Sequence, residues 1–331
     1  MLRLPWFEHR QPRSVAEAAK ILAGEGPGAM LVAGGTDLLP NMKRRHQTPK
    51  VLVSLKGVSA LKGFSNGTLG AGLTLREVAE HKSTPSALRQ AAAQVATPQI
   101  RNMATLGGNL CLDTRCTYYN QNYEWRQAID FCLKKDGQTC WVATASKRCV
   151  AVSSTDTAPA LIALNAQVVL SGTAGEREIP VESLYKNDGI DYLTRRADEI
   201  LTAVKIQAGW KSTYWKLRRR GSFDFPVLGV AVALKFSGDI VEDARVALGA
   251  AASRPFLVEK ASGYLKGRKL TDEVIAEASA LIANRAKPMD NTDMDLYWRK
   301  EVADDFAGYA LRELRGDDMR ETRRRIARYA V

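Results

Sequence analysis

The amino-acid sequence predicts an α+β fold in which short strands are mixed with helices in more than one domain. Its 331 residues are enough to bury a sizeable core, and 45% apolar with 25% charged residues is typical of a globular protein. Short apolar runs and helix-capping patterns recur along the chain without an internal repeat. We place a boundary near residues 209–211, which divides the chain into residues 1–210 and 211–331.

The first domain carries clear helix-start signals. Residues 14–17 and 74–77 each match a capping box, in which Ser or Thr is followed three positions later by Glu. The first box opens a helix that we expect to stop near Gly24 or Gly26. The other predicted elements are strands at 30–33, 50–55 and 68–73, helices at 83–96 and 156–165, and a strand at 166–170.

The second domain begins with strands and ends with helices. We predict strands at 212–217, 227–236 and 245–248, then helices at 256–265, 271–286 and from 296 onward, with a break at Gly316. Residues 211–331 therefore form a smaller α+β domain.

Two glycine loops carry the first functional signal. Residues 33–37, the first glycine loop (Ala-Gly-Gly-Thr-Asp), follow an apolar strand, and residues 104–109, the second glycine loop, read Ala-Thr-Leu-Gly-Gly-Asn. Glycine pairs let the backbone approach a ligand closely, and backbone N–H groups after a strand can bind a pyrophosphate. Each loop alone is also compatible with an ordinary turn, but two of them in one domain favour a nucleotide cofactor held from two sides. Neither a nicotinamide-type Rossmann motif nor a P-loop motif is present in the sequence.

The five cysteines form the second signal, because all of them lie between Cys111 and Cys149. Thiols collected in one segment favour a metal or cluster site over a disulfide framework. The loose spacing leaves an iron–sulfur cluster, zinc and free thiols as alternatives. The same segment is rich in aromatic residues that could shield a cluster from water: Tyr118, Tyr119, Tyr123, Trp125, Phe131 and Trp141.

Charge and the remaining residues exclude several classes of function. The net charge of +12 comes from 48 Lys and Arg against 36 Asp and Glu, but the basic runs are dispersed and no nucleic-acid motif accompanies them. The three histidines, which we expect at the surface, lie outside the glycine loops and offer no hydrolytic triad: His9, His46 and His81. There is neither an apolar run of membrane length nor a signal-peptide core, so we expect a cytoplasmic protein without membrane contact.

The two glycine loops, together with residues 99–102 (Gln-Ile-Arg-Asn), resemble the FAD-binding medium subunits of the molybdenum hydroxylase (xanthine dehydrogenase) family. The resemblance covers nearly the whole chain. In most of that family the second glycine loop leads within a few residues into a Ser-x-x-Ser/Thr-Asp stretch, which here corresponds to residues 153–156. Residues of about 111–152, the cysteine segment, are therefore an insert. Such an insert resembles the one in the medium subunits of 4-hydroxybenzoyl-CoA reductases, which carries a [4Fe–4S] cluster.

The resemblance implies a two-subdomain FAD-binding domain followed by the smaller α+β domain. It also implies the ligands of two cofactors, FAD and a [4Fe–4S] cluster. The residues expected to hold the FAD pyrophosphate are Leu31, Val32, Ala33, Gly34, Gly35, Thr36, Asp37 and Leu38. Those expected at the rest of the cofactor are Thr105, Gly108, Asn109, Asp156 as a hydrogen-bond acceptor, and Leu201 and Lys216 beside the isoalloxazine. The expected cluster ligands are Cys116, Cys132, Cys140 and Cys149, which leaves Cys111 as the non-ligand.

The function implied is electron transfer within a larger enzyme. Electrons would pass from a ferredoxin-type donor through the cluster and FAD to a [2Fe–2S] small subunit and a molybdenum-binding large subunit, where an aromatic hydroxyl is removed. This chain would carry no substrate chemistry. Three alternatives are a related molybdenum hydroxylase subunit for another aromatic or heterocyclic compound, a zinc-stabilised FAD oxidase acting alone, and an assembly protein without flavin. For Lys216, an exposed lysine on a strand is the simpler alternative.

Overall fold

A computed structural model describes residues 3–329 of the chain. Its first sheet has three parallel strands in the order β1-β3-β2. Helix α1 buries its apolar face against this sheet through Ala18, Ala19 and Leu22, which contact Val51 and Val53. The elements of this subdomain are β1 (Glu8–Arg10), α1 (Val15–Glu25), β2 (Ala29–Val32), α2 (Leu38–Lys43) and β3 (Val51–Ser54).

The second subdomain is built on a five-stranded antiparallel sheet in the order β4-β5-β8-β6-β7. Helices α4, α6 and α8 pack with this sheet in the largest hydrophobic core of the described chain. The elements are β4 (Phe64–Ser65), β5 (Thr68–Gly70), α3 (Leu75–Glu80), α4 (Ser86–Ala93), α5 (Pro98–Arg101), α6 (Leu106–Leu110), α7 (Tyr123–Ala128), α8 (Thr157–Ala163), β6 (Gln167–Gly172), β7 (Gly175–Pro180) and β8 (Ile200–Lys205).

The C-terminal region contains a four-stranded antiparallel sheet in the order β12-β11-β10-β9 and a helical layer. Alternate side chains of its strands face opposite cores: Tyr214 and Ala231 face the helices α4 and α8, whereas Trp215 and Val230 face α9–α11. The sheet is therefore buried on both faces. The elements are β9 (Lys211–Leu217), β10 (Leu228–Ser237), β11 (Ile240–Gly249), β12 (Phe256–Leu257), α9 (Glu259–Leu265), α10 (Asp272–Ala283), α11 (Leu296–Arg315) and α12 (Arg320–Tyr329).

Most predicted elements are confirmed, and the differences have local causes. Ser14 and Thr74 cap α1 and α3 as expected, and Thr74 forms the complete capping box. The helix predicted at 83–96 covers only Ser86–Ala93, because Pro85 is extended and Ala96 has a positive φ of 40°. The helix predicted at 256–265 begins three residues late, since Phe256–Leu257 pairs with β11 instead.

The cysteine segment contains little regular structure. Apart from α7, its described residues form loops joined by isolated bridges, such as the one between Arg115 and Val152. Nothing among the helices of residues 3–329 combines the length and the hydropathy that a membrane crossing needs.

Candidate cofactor sites

The two glycine loops lie against each other in the structure. The first loop leaves β2 at the carboxyl edge of the parallel sheet, where ligands of α/β sheets commonly bind. A Cβ atom added to Gly34 would lie 1.8 Å from the carbonyl oxygen of Met103, directly before the second loop. Gly35 has a φ of +70°, which favours glycine. The two loops are therefore adjacent, and their close approach requires glycine at position 34.

The second glycine loop is fixed by hydrogen bonds to its own helix and to α8. Thr105 caps α6, and its hydroxyl accepts a hydrogen bond from the N–H of Gly108 at 3.1 Å. The side-chain carbonyl of Asn109 accepts three hydrogen bonds, one from the Thr155 hydroxyl and two from Thr157, at 2.7–3.1 Å. Because that oxygen already accepts three hydrogen bonds, Asn109 would contact a cofactor through its amide nitrogen, which is a donor.

Asp37, the last residue of the first glycine loop, forms a partly buried network that the sequence did not predict. Its carboxylate pairs with Arg115 and accepts a hydrogen bond from Asn41 at 3.1 Å. Arg115 also donates to Asn41 at 2.9 Å, and its guanidinium lies 5.0 Å from the ring centre of Phe225. Burial lowers the pKa of Arg115. Since Cys116 is the next residue, this contact joins the cysteine segment directly to the first glycine loop.

Asp156 and Lys216 form a second buried ion pair. The Lys216 ammonium lies 3.0 Å from the Asp156 carboxylate, and the Tyr214 hydroxyl donates to the same carboxylate at 3.0 Å. Burial raises the pKa of Asp156 and lowers the pKa of Lys216, and each partner offsets part of the other's shift. The interpretation of Lys216 as an exposed lysine is wrong, because the residue is only 3% exposed. Leu201 is a buried member of the main core.

Four of the five cysteines line one small cavity, which we call the thiol cavity. They are the four that the resemblance implies as ligands: Cys116, Cys132, Cys140 and Cys149. All four are buried around this small space. Of the six aromatic residues of the cysteine segment, Tyr118 and Trp141 are the two that line this cavity. Cys111 follows α6 and does not line the cavity.

The protonation of these thiols links any metal binding to proton release. Burial raises the pKa of Cys116 to about 12 and that of Cys149 to about 11. Both thiols are therefore protonated at neutral pH when no metal is bound, and a metal or cluster must displace their protons.

The two kinds of metal site require thiols at different separations. Within residues 3–329, no three His, Cys, Asp or Glu side chains lie close enough together to hold a single metal ion. A structural zinc ion needs its four ligands converging on one centre at about 2.3 Å from each sulfur. A [4Fe–4S] cluster instead takes one thiolate on each of its irons, so its ligands stand further apart. Four buried thiols around one cavity match in number the thiolates that a [4Fe–4S] cluster takes.

A buried polar network borders the thiol cavity. Lys134, which lines the cavity, donates at 2.8 Å to Asp113 and at 2.6 Å to the carbonyl of Gly189.

The expectation that His46 lies at the surface is wrong: it is 3% exposed and stacks on Tyr119 with ring centres 4.2 Å apart. Burial lowers the pKa of His46 to about 4. Sequence spacing gave no signal for this network, since its members are brought together only by the fold.

Comparisons with known proteins agree with this architecture. Residues 6–207 match the family described as the FAD binding domain in molybdopterin dehydrogenase, and residues 212–314 match the CO dehydrogenase flavoprotein C-terminal domain. The chain is 31% identical to the aldehyde oxidoreductase FAD-binding subunit PaoB of Escherichia coli, over 85% of this chain and 93% of that protein. It is 26% identical to the carbon monoxide dehydrogenase medium chain of Hydrogenophaga pseudoflava, over 93% and 96%.

The fold is shared with a solved structure. It resembles a chain of carbon monoxide dehydrogenase from Hydrogenophaga pseudoflava that lacks the Mo-pyranopterin moiety of the molybdenum cofactor, with a TM-score of 0.75 and 24% identity. The match covers 93% of this chain and 97% of that one. The predicted α+β fold, with an FAD-binding domain and a C-terminal domain, is thereby confirmed, and the chain belongs to the FAD-binding medium subunits of the molybdenum hydroxylase family.

Proposed function

We propose that this chain is the electron-transfer subunit of a molybdoenzyme similar to 4-hydroxybenzoyl-CoA reductase, and that it holds both FAD and a [4Fe–4S] cluster. The observation that carries the proposal is the set of four buried cysteines around one cavity, in a chain of the FAD-subunit family. The names of these two related proteins mention no iron–sulfur cluster, so the proposed cluster rests on the cysteines of this chain.

The residues that would hold FAD are those of the two glycine loops. Leu31–Leu38 would present backbone N–H groups to the pyrophosphate, and Thr105, Gly108 and Asn109 would contact the nucleotide from the other side. FAD supplies exchange between one-electron and two-electron chemistry when it is bound. The Asp156–Lys216 pair and Leu201 would position the isoalloxazine, and the buried charges of the pair fix the polarity of that end of the site.

The cysteine segment would hold the cluster beside the flavin loops. Cys116, Cys132, Cys140 and Cys149 would be its ligands, and the cluster would supply one-electron transfer when it is present. The Arg115 guanidinium binds Asp37 of the first glycine loop. The backbone N–H and C=O groups of Arg115 both form hydrogen bonds with the backbone of Val152. These contacts hold the thiol cavity and the first glycine loop in a fixed relation, which one-electron transfer over a short distance requires.

The proposed partners follow from the role as a medium subunit. We propose a molybdenum-binding large subunit, a [2Fe–2S] small subunit and a ferredoxin-type donor, in the cytoplasm. The net charge of +12 supports docking of an acidic donor. The proposed domains are residues 1–210 for FAD with the cluster insert at about 111–152, and residues 211–331 as the C-terminal flavoprotein domain.

The cluster assignment is tested by comparing Cys132→Ser with Cys111→Ser. Both replace a thiol by a hydroxyl in the same segment, but only Cys132 lines the thiol cavity. We expect Cys132→Ser to lose the cluster absorbance and the iron while FAD stays bound, and Cys111→Ser to keep both cofactors. Retained FAD shows that the variant has folded. An unchanged spectrum in Cys132→Ser would disprove the ligand set.

The substrate is tested on the complex with its partner subunits. With a reduced ferredoxin as donor, we expect 4-hydroxybenzoyl-CoA to lose its ring hydroxyl. If the complex instead oxidises an aromatic or heterocyclic compound and does not reduce this thioester, the second candidate, a related hydroxylase, replaces the reductase. The flavin and cluster assignments would survive that result.

A further inference from the structure

A second and larger cavity, which we call the cationic cavity, lies between the cysteine segment and the C-terminal domain. Its volume is about 360 Å³. Binding pockets for small molecules usually span about 300–1,000 Å³, so this cavity is large enough for a ligand. It is separate from the glycine loops, because none of their residues lines it.

The lining carries five positive side chains and no negative one. The five are Arg148, Arg254, Arg285, Lys287 and Arg299. None of them forms an ion pair with a carboxylate of residues 3–329. Positive charges concentrated in a cleft with low-dielectric walls attract anions strongly. The unbalanced lining therefore predicts an anionic ligand.

Arg299 gives this lining a fixed, buried cation. It is 1% exposed, and three backbone carbonyls, those of Met289, Val227 and Ala250, accept its hydrogen bonds at 2.9–3.1 Å. Its Nε atom has no hydrogen-bond partner in the described chain. Although burial lowers the pKa of Arg299 to about 10, the residue stays charged at neutral pH. The Asp290 and Asp293 carboxylates oppose this lowering of the pKa, but neither forms an ion pair with Arg299 in the described chain, and Asp293 pairs with Arg219 instead.

Burial of the cavity floor favours a small ligand over a docking protein. Asn291 and Ser253, like Arg299, line the cavity and are at most 4% exposed. Only a group small enough to enter the cavity can contact them. Guanidinium groups bind phosphate through paired N–H donors, and hydroxyl and amide groups complete such sites.

We propose that the cationic cavity is a binding site for a phosphate group, either free phosphate or the phosphate of a small molecule such as a nucleotide. The site is independent of the cluster and of the flavin loops, although Arg148 and Val150 flank Cys149 and so place it beside the thiol cavity.

The test is calorimetric titration of the full-length, FAD-loaded chain with inorganic phosphate at constant ionic strength. We expect saturable binding at one site, weakened at least tenfold (about 1.4 kcal/mol) in Arg254→Gln. The matched control is Arg312→Gln, which removes the same charge from an exposed position outside the cavity and leaves phosphate binding unchanged. Retention of FAD by each variant confirms that it has folded.

A second titration with ADP identifies the source of the phosphate, because FAD already fills the flavin site. Tighter binding of ADP than of phosphate supports a nucleotide, and equal binding supports free phosphate. The proposal is overturned if phosphate binding is not saturable, or if Arg312→Gln weakens it as much as Arg254→Gln. It is also overturned if phosphate does not bind but Arg254→Gln slows reduction by ferredoxin, since the cavity would then recognise an acidic protein.

Discussion

Replacing Asp156 by Asn would remove the negative member of the buried Asp156–Lys216 pair while keeping the size and shape of the side chain. The Lys216 side chain is 0% exposed and would lose its carboxylate partner, retaining the carbonyls of Gln94 and Asp224 at 3.0 and 3.4 Å. Removing one partner of a buried pair costs about 3–5 kcal/mol, because the remaining charge stays desolvated. We expect Asp156→Asn to lower the free energy of unfolding by that amount.

A double variant distinguishes the destabilisation caused by an unpaired buried charge from the net contribution of the ion pair to stability. Burial is the largest influence on the pKa of both Asp156 and Lys216, and in each it disfavours the charged form. Removing both charges therefore relieves two desolvation costs at once, so Asp156→Asn combined with Lys216→Met should recover most of the lost stability.

The measurement is urea unfolding followed by circular dichroism, with saturating FAD for all four proteins of the cycle. A loss below about 1 kcal/mol in Asp156→Asn would show that Lys216 is not held as a buried charge. A double variant as unstable as the sum of the two single variants would contradict the coupling of the two residues.

Two further predictions concern the glycine loop and the buried histidine. Gly34→Ala should release FAD and lower the free energy of unfolding by about 1–3 kcal/mol, because the new Cβ would clash with the Met103 carbonyl. The control Gly24→Ala, with open space around it, should keep FAD and gain about 0.5–1 kcal/mol; equal FAD affinity in both would refute the close approach. The pKa of His46 is about 4 in the folded chain and 6.5 unfolded, so stability should be full above pH 6.5. The free energy of unfolding should fall by about 3 kcal/mol as the pH is lowered to 4, and His46→Gln should reduce this dependence on pH. If the same pH dependence persists in His46→Gln, another group is responsible for it.

Local signals in the sequence were sufficient for the helix caps and the glycine loops. A capping box needs only four consecutive residues, and a glycine pair permits a close backbone approach, so Thr74–Glu77 and Gly34–Gly35 could be identified from the sequence. The four thiols of one cavity were predicted through the family resemblance, because their loose spacing alone also allowed zinc or free thiols.

The contacts between residues far apart in the sequence could not be predicted from the sequence. Arg115 pairs with Asp37, which lies 78 residues away in the sequence, and Lys216 pairs with Asp156, which lies 60 residues away. A polar residue in a strand is usually exposed, so the strand pattern around Lys216 favoured the surface. Only the packing of β9 against α4 and α8 places its ammonium in the interior. The cationic cavity likewise depends on four separate parts of the chain that come together only in the folded protein.

The most direct test of the central claim is the content of iron, acid-labile sulfide, zinc and flavin per chain, in protein purified without oxygen. A subunit that carries both cofactors should contain about four iron, about four sulfide and about one FAD. One zinc with FAD and no sulfide, or FAD with neither metal, would contradict the cluster and leave a plain flavoprotein.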